Sequence, residues 1–202
     1  GRHAPDPRLV TLTPASAITP QPVHWLWEER LALGTFALVG GREGIGKSLC
    51  VLTLAADLTR GELPGCHHGT PKAVLIAATE DSWEHTIVPR LIAARADLTR
   101  VYRVEVTTKA LQGELSIPDD LEELERVTLE VGAALLILDP LLSRLAGKLD
   151  SHKDAEVRQA LEPIVTLADR TACTVIGLIH VNKSGSQDAL TSLMGSRAFA
   201  AV

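Results

Sequence analysis

Residues Phe36 to Ser48 read FALVGGREGIGKS, and this stretch decides the fold. An apolar run ends in glycines, and a helical pattern follows from Lys47 to Arg60. Residues 41–48 fit the pattern G-x-x-x-x-G-K-[ST], in which glycine backbone N–H groups surround phosphate oxygens that a β-carbon would keep away. The positive end of the following helix faces the same anion. The stretch therefore predicts a strand, a loop and a helix that together bind a nucleoside triphosphate.

Within this loop, the Lys47 ammonium is predicted to reach the β- and γ-phosphates and the Ser48 hydroxyl to bind Mg²⁺. A glycine-rich turn with a surface lysine is the alternative, and the strand before and the helix after the motif disfavour it. ATP is the default nucleotide, because the run 182–185 lacks the Asp of a guanine-reading N-K-x-D motif. The residues predicted to bind the nucleotide are Gly41, Arg42, Glu43, Gly44, Ile45, Gly46, Lys47, Ser48 and Leu49.

Outward from the loop, apolar strands alternate with helical patterns. Further strands are predicted at Ala73–Ala78, Val101–Val106, Ala133–Leu138 and Cys173–Ile179. Further helices are predicted at Thr86–Ala96, with Thr86 as its N-cap, and at Pro118–Val131 and Asp154–Ala168. Charged residues alternate in the Val101 strand, which indicates a sheet edge. Strands separated by helices predict an α/β fold, with a doubly wound, mostly parallel sheet flanked by helices.

Composition agrees with this fold class and excludes others. The 202 residues are 46% hydrophobic and 22% charged, which excludes a mainly disordered chain. A net charge of −5 argues against tight, indiscriminate binding to duplex phosphates. Apolar runs are too short for a membrane span, so no membrane is expected. Three cysteines at unrelated spacings fit a reducing, cytoplasmic compartment.

The first 22 residues contain five of the 11 prolines. Because proline fixes φ and lacks an N–H donor, residues 1–24 are predicted to form an extended arm or linker, and residues 25–202 the ATPase core. Trp25 and Trp27 follow the arm. We expect them to anchor it to an apolar surface, while contact with a neighbouring subunit or with adenine stays open.

Two carboxylates follow buried strands at the edge where a parallel sheet binds ligands. Asp139 ends the most apolar strand and is predicted to hold magnesium with Ser48, although it could instead cap the next turn. Glu80 follows the second strand and is the candidate to orient and deprotonate the attacking water. Alternatively, Glu80 or its neighbour Asp81 caps the following helix. Asp81 is otherwise expected to lie outside direct contact with the reactants.

Two histidine-containing segments remain. His180 ends the fifth strand at the same edge, where it can sense the γ-phosphate and pass its presence to the next loop, or be a structural group. The run Cys66-His67-His68 lacks a second ligand cluster that would complete a four-ligand metal site. We therefore predict an exposed loop there.

With these residues placed, the chain resembles the RecA-type P-loop ATPases from about Trp25 to Val202. It is most similar to the RepA-like hexameric helicases of plasmids and phages and their AAA-labelled relatives. The resemblance is carried by WLWEERLALGTFALVGGREGIGKS, VLIAATEDSWEHTIVPRL, LLILDPLLSRLAGKLDSHKDAEVRQAL and VIGLIHVNKSGSQDALTSLMGSRAFAAV. It implies a RecA-like core in which Lys47 and Ser48 bind nucleotide and Mg²⁺, Glu80 activates water, Asp139 supports the metal and His180 is the sensor.

The resemblance also implies a ring, expected to be a homohexamer, whose central channel is lined by two loops, here about Leu142–Lys153 and Asn182–Leu193. Their candidates for contact with single-stranded DNA are Lys148, Lys153 and Lys183, although a solvated loop is the alternative for each. Such rings complete the site with a neighbour's arginine. Arg197 is not assigned that role, and the chain is expected to be truncated beyond Val202.

The sequence therefore predicts Mg²⁺-dependent ATP hydrolysis by the core of a replicative or mobile-element helicase-like protein acting on single-stranded DNA. A regulatory ATPase switch that controls a protein partner without moving along DNA is the first alternative. The acidic charge and the channel loops without aromatic residues favour that switch. A P-loop kinase is the second alternative, but the loop at 182–193 lacks the arginines of a kinase lid.

Overall fold

The computed structural model describes residues 10–107, 112–113, 115–145 and 154–180. Strands β1 to β9 span Trp25–Trp27, Leu31–Ala32, Phe36–Gly41, Ala73–Ala78, Val101–Arg103, Val106–Thr107, Gln112–Gly113, Ala133–Asp139 and Thr174–His180. Helices α1 to α4 span Lys47–Arg60, Val88–Ala93, Leu121–Val131 and Asp154–Thr171. A π-helix covers Trp83–Ile87, and short 3₁₀ helices cover Ala15–Ala17, Leu98–Arg100 and Leu142–Arg144.

Five strands form one parallel sheet in the order β3-β9-β8-β4-β5. This arrangement confirms the predicted doubly wound α/β fold, and β5 is an edge strand as its charge pattern predicted. The register pairs Gly41 with His180 and Ala78 with Asp139. The carboxyl ends of four neighbouring strands therefore meet at one edge of the sheet, where α/β proteins bind their ligands.

The sheet is buried on both faces by two hydrophobic clusters. Successive side chains of a strand point to opposite faces, so β8 divides its apolar residues between them. Leu136 and Leu138 join α3 and α4 on one face. Leu135 and Ile137 join α1 and α2 on the other. This packing explains why β8 reads as an uninterrupted apolar run, as expected for a parallel sheet covered on both sides.

The predicted helix Thr86–Ala96 is wrong at its start. Helical structure begins three residues earlier, at Trp83. The Ser82 hydroxyl accepts a hydrogen bond from the His85 N–H at 3.2 Å and thereby caps the π-helix. Thr86 therefore lies inside the helical segment and is not its N-cap. Pro89 occupies the first turn of α2, directly after the π-helix.

Other boundaries also differ from prediction: α2 ends at Ala93 instead of Ala96, α4 continues to Thr171 instead of Ala168, and β9 spans Thr174–His180 instead of Cys173–Ile179. The segment Val101–Val106 is divided, because only β5 joins the main sheet while β6 pairs antiparallel with β7. Helix α3 begins at Leu121 instead of Pro118. The Asp120 carboxylate accepts a hydrogen bond from the Ser116 N–H at 2.8 Å, which closes a turn just before the helix.

The described part of the N-terminal segment, residues 10–24, is exposed throughout and contains one 3₁₀ turn. Leu26 is completely buried, and Trp27 packs beside it against the α1 face of the sheet. Leu26 is therefore the main anchor where the chain enters the core, with Trp27 in support. The division at residue 24 stays a prediction. Among the described residues, no helix is long and apolar enough to cross a membrane.

Candidate active site

The glycine-rich loop connects β3 to α1, as predicted. Lys47 begins the helix and is 9% exposed, and its Nζ donates hydrogen bonds to the carbonyl oxygens of Gly41 and Arg42 at 2.8 Å each. Gly46 precedes the helix with a φ of 91°, and no side chain caps the helix start. The first N–H groups of α1 are therefore available to an anion, and the helix dipole favours one there.

The rest of the loop lies at the surface. Ile45 is 63% exposed and Leu49 is 51% exposed, and a β-carbon added at Gly44 or Gly46 would meet nothing within 4 Å. The exposed members of the predicted set are Arg42, Glu43, Gly44, Ile45, Gly46 and Leu49. An open loop of this kind can receive a triphosphate without moving core residues.

A hydrogen bond joins the loop to the predicted magnesium aspartate. The Ser48 hydroxyl donates to Asp139 Oδ2 at 2.8 Å, across 91 positions of sequence. Strand β9 lies between β3 and β8, so this contact spans the strand that separates the two residues. Hydroxyl and carboxylate oxygens are ligand types that Mg²⁺ takes. The pair therefore fits a magnesium site at the edge of the sheet.

Glu80 lies on the far side of Asp139 from the loop. It is exposed and comes two residues after β4, whose last residue pairs with Asp139. The Thr79 N–H donates to the Asp139 carbonyl oxygen at 3.2 Å. Glu80 also lines a cavity of about 580 Å³ at this edge. The structure thus places the predicted water-activating residue and the predicted metal ligand on adjacent strand ends.

The two acidic neighbours of Glu80 have other partners. Asp81 caps no helix, since it accepts a hydrogen bond from Arg90 Nη1 at 2.8 Å. Glu84 lines the cavity, and its own backbone N–H followed by the Ser82 hydroxyl holds the pKa of its carboxyl below the usual range. Glu80 follows β4 at the edge shared with Asp139, and its role in activating water stays a prediction.

Sequence reasoning missed Arg144, which follows β8 on the 3₁₀ helix and is 1% exposed. Its Nη2 donates a hydrogen bond to Thr79 Oγ1, and Arg144 and Glu80 line the same cavity. A single arginine within the apolar run LLSRLA, five residues after the strand-end aspartate, was the available signal. Buried arginines require hydrogen-bonding partners, so this position could have been marked for a role beside the carboxylates.

Some predicted residues lie outside the described part of the chain. His180 ends β9 with its backbone beside Gly41, and its side chain is not described. Lys148, Lys153 and Lys183 lie outside the described residues, and so does Arg197. Their predicted roles stay predictions.

The Cys66-His67-His68 run forms a turn in which Cys66 and His68 are exposed, in agreement with the predicted loop. Burial, followed by the charge of Lys72, lowers the pKa of His67. Across the described ranges, no group of three or more His, Cys, Asp or Glu side chains is placed to hold a metal ion.

A glycine-rich loop joins a strand to a helix, and its serine is hydrogen-bonded to an aspartate at the end of another strand. These features define a P-loop nucleotide-binding domain. A model of the AAA domain family matches residues 4–186, and the chain belongs to that family. No protein with a curated description matches it in sequence. Among solved structures, the "ATPase Domain of G40P" is similar with a TM-score of 0.57 and 13% identity.

That structural match covers 83% of this chain and 66% of the other, so this chain spans slightly less than two thirds of it. At this identity the likeness concerns the fold. The family match confirms the predicted AAA-labelled P-loop ATPase domain, and the structural match confirms its RecA-like fold.

Proposed function

We propose that this domain binds ATP with Mg²⁺ and hydrolyses it, as the RecA-like core of a replicative or mobile-element helicase-like protein that acts on single-stranded DNA. The observation that carries the proposal is the Ser48–Asp139 hydrogen bond of 2.8 Å. It joins the phosphate loop to the strand end next to Glu80 and so supports the proposal that residues binding phosphate, holding metal and activating water share one edge of the sheet.

Each group has a separate task in this mechanism. Lys47 would exchange its carbonyl partners in the loop for the β- and γ-phosphate oxygens, while Ser48 and Asp139 would hold Mg²⁺. When bound, Mg²⁺ neutralises charge that develops on the phosphates. Glu80 orients the attacking water in line with the γ-phosphorus and accepts its proton. His180, which ends the strand beside Gly41, reports the γ-phosphate to the loop that follows.

Action on DNA and assembly into a ring rest on the resemblance to hexameric helicases. Lys148, Lys153 and Lys183 would contact backbone phosphates of a single strand in the central channel, a mode that needs few charges. A neighbouring subunit would supply the arginine that stabilises charge in the transition state. Hydrolysis by an isolated subunit is then slow. The cysteine spacing supports a cytoplasmic location.

A regulatory switch without DNA translocation is the second candidate. The net charge of −5 favours it. The cavity beside Glu80 does not discriminate between the two candidates, because its lining holds Arg103 and Arg144 as well as the carboxylates of Asp81, Glu84 and Glu105.

Steady-state ATP hydrolysis with and without single-stranded DNA tests the proposal. We expect Mg²⁺-dependent turnover that DNA stimulates and that Lys47→Ala and Glu80→Gln abolish. Glu84→Gln is the matched control, since it removes an exposed carboxylate from the same cavity and leaves turnover intact. DNA-insensitive turnover with tight ATP binding favours the switch. Turnover that survives in both Lys47→Ala and Glu80→Gln refutes the proposed site.

A further inference from the structure

Arg144 is a buried charged side chain in the wall of the cavity that Glu80 also lines. It is 1% exposed and is among the largest fully buried side chains of the described residues. Removing a guanidinium from water is costly unless hydrogen bonds compensate, and an apolar residue of similar size often fills such a position without loss of stability. Burial of the guanidinium therefore indicates a role beyond packing at this position.

The backbone around Arg144 is fixed on both sides. The Leu141 N–H donates to the Leu178 carbonyl oxygen of β9 at 2.9 Å, and the Arg144 N–H donates to the Leu141 carbonyl oxygen at 2.9 Å. On the other side, the Ile117 N–H donates to the Arg144 carbonyl oxygen at 2.7 Å. Arg144 thus extends from a rigid support.

The guanidinium of Arg144 reaches the end of the neighbouring strand β4. Its Nη2 donates to Thr79 Oγ1, while the Thr79 N–H donates to the Asp139 carbonyl oxygen at 3.2 Å. Thr79 is exposed, and these two contacts hold it from the direction of β8. Because Glu80 follows directly, the position of Thr79 sets the position of the Glu80 backbone.

We infer that Arg144 is a positioning residue, which clamps Thr79 and thereby holds Glu80 in place for the attacking water. This inference rests on the proposed function, in which Glu80 activates that water. Displacement of a catalytic group by about 1 Å can cost about 10²-fold in rate, so loss of the clamp should lower kcat by about 10- to 100-fold. Nucleotide affinity should be preserved, because Lys47 and Ser48 lie on the other side of β9.

Thr79 is the better residue to vary, since replacing Arg144 itself removes a large buried side chain and endangers folding. Thr79→Val keeps the shape and removes the acceptor hydroxyl, and Thr79→Ser is the matched variant that keeps it. The measurements are kcat, the Kd for ATP and the Tm of each variant. We expect Thr79→Val to lose about 10- to 100-fold in kcat with its Kd within about twofold, and Thr79→Ser to stay near wild type.

Equal kcat for Thr79→Val and Thr79→Ser overturns the inference. The inference is also overturned if Thr79→Val shows a lower kcat, a higher Kd and a lower Tm together, because general damage to the fold then explains the result. Glu80→Gln, measured in parallel, separates the two proposals. If Glu80→Gln keeps its turnover, the proposed role of Glu80 fails, whereas an inactive Glu80→Gln beside an active Thr79→Val refutes only the role of Arg144.

Discussion

Gly46→Ala should separate folding from nucleotide binding. Gly46 has a φ of 91°, and a β-carbon there would meet nothing within 4 Å, so the folded protein bears only the left-handed backbone strain. That strain is about 1 to 2 kcal/mol, and part of it is offset because alanine restricts the unfolded chain. A net loss of about 1 kcal/mol lowers Tm by about 2–4 °C in a domain of this size.

The effect on ATP binding should be larger, because the new methyl group lies where backbone N–H groups approach the phosphate. A hydrogen bond to a charged group contributes about 1.5 to 3 kcal/mol, so losing one such bond raises the Kd about 10- to 100-fold. Isothermal titration with ATP and a thermal melt of the same sample measure both quantities.

Gly69→Ala provides the control, with a φ of 77° and nothing within 4 Å of its added β-carbon, in a turn outside the phosphate loop. We expect the Tm of the two variants to fall by similar amounts. Only Gly46→Ala should bind ATP more weakly. Equal affinities for ATP would refute the reasoning about the loop.

Three further variants or treatments test the fold and its titration. Gly177→Ala places a β-carbon 2.9 Å from Leu141 Cδ2, so overpacking should cost about 1 to 3 kcal/mol in a urea melt, and a wild-type midpoint would contradict this packing. Burial, and to a smaller extent the charge of Lys72, lowers the pKa of His67 below 6.5. The unfolded chain therefore binds more protons than the folded protein, so stability falls as pH drops through 6.5. The Tm of His67→Gln should therefore fall less than that of wild type between pH 7.5 and 5.5. Parallel curves of Tm against pH for the two proteins would contradict this role of His67. Burial raises the pKa of Cys173 to about 12, so iodoacetamide at pH 8 should label the two exposed cysteines of the native protein and reach Cys173 only in urea.

Much of the fold could be predicted because its signals are local. The run ending at Asp139 is apolar on both faces, as a central parallel strand must be, and the motif that ends in Lys47 and Ser48 places a loop between a strand and a helix. The shared edge of Asp139 and Glu80 followed from the parallel direction of the strands alone. These features depend on residue type and order, which the sequence displays directly.

Other features depend on contacts between distant segments. Thr86 and Ser82 are both suitable N-cap residues, and only the structure shows that the Ser82 hydroxyl accepts the helix N–H. The hydrogen bond from Arg144 to Thr79 joins residues 65 positions apart, so an arginine within an apolar run can mark this position but not identify its partner. The division of the Val101 segment likewise depends on a distant contact, because β6 pairs with β7 outside the main sheet.

The central claim is that Glu80 activates water for ATP hydrolysis at the site formed by Lys47, Ser48 and Asp139. Single-turnover cleavage of prebound ATP by wild type, Glu80→Gln and Glu84→Gln tests this claim most directly. Removing a general base typically lowers the rate by about 10²- to 10⁴-fold, so we expect a loss of that size in Glu80→Gln, with ATP still bound, and wild-type cleavage in Glu84→Gln. Wild-type cleavage by Glu80→Gln would contradict the account.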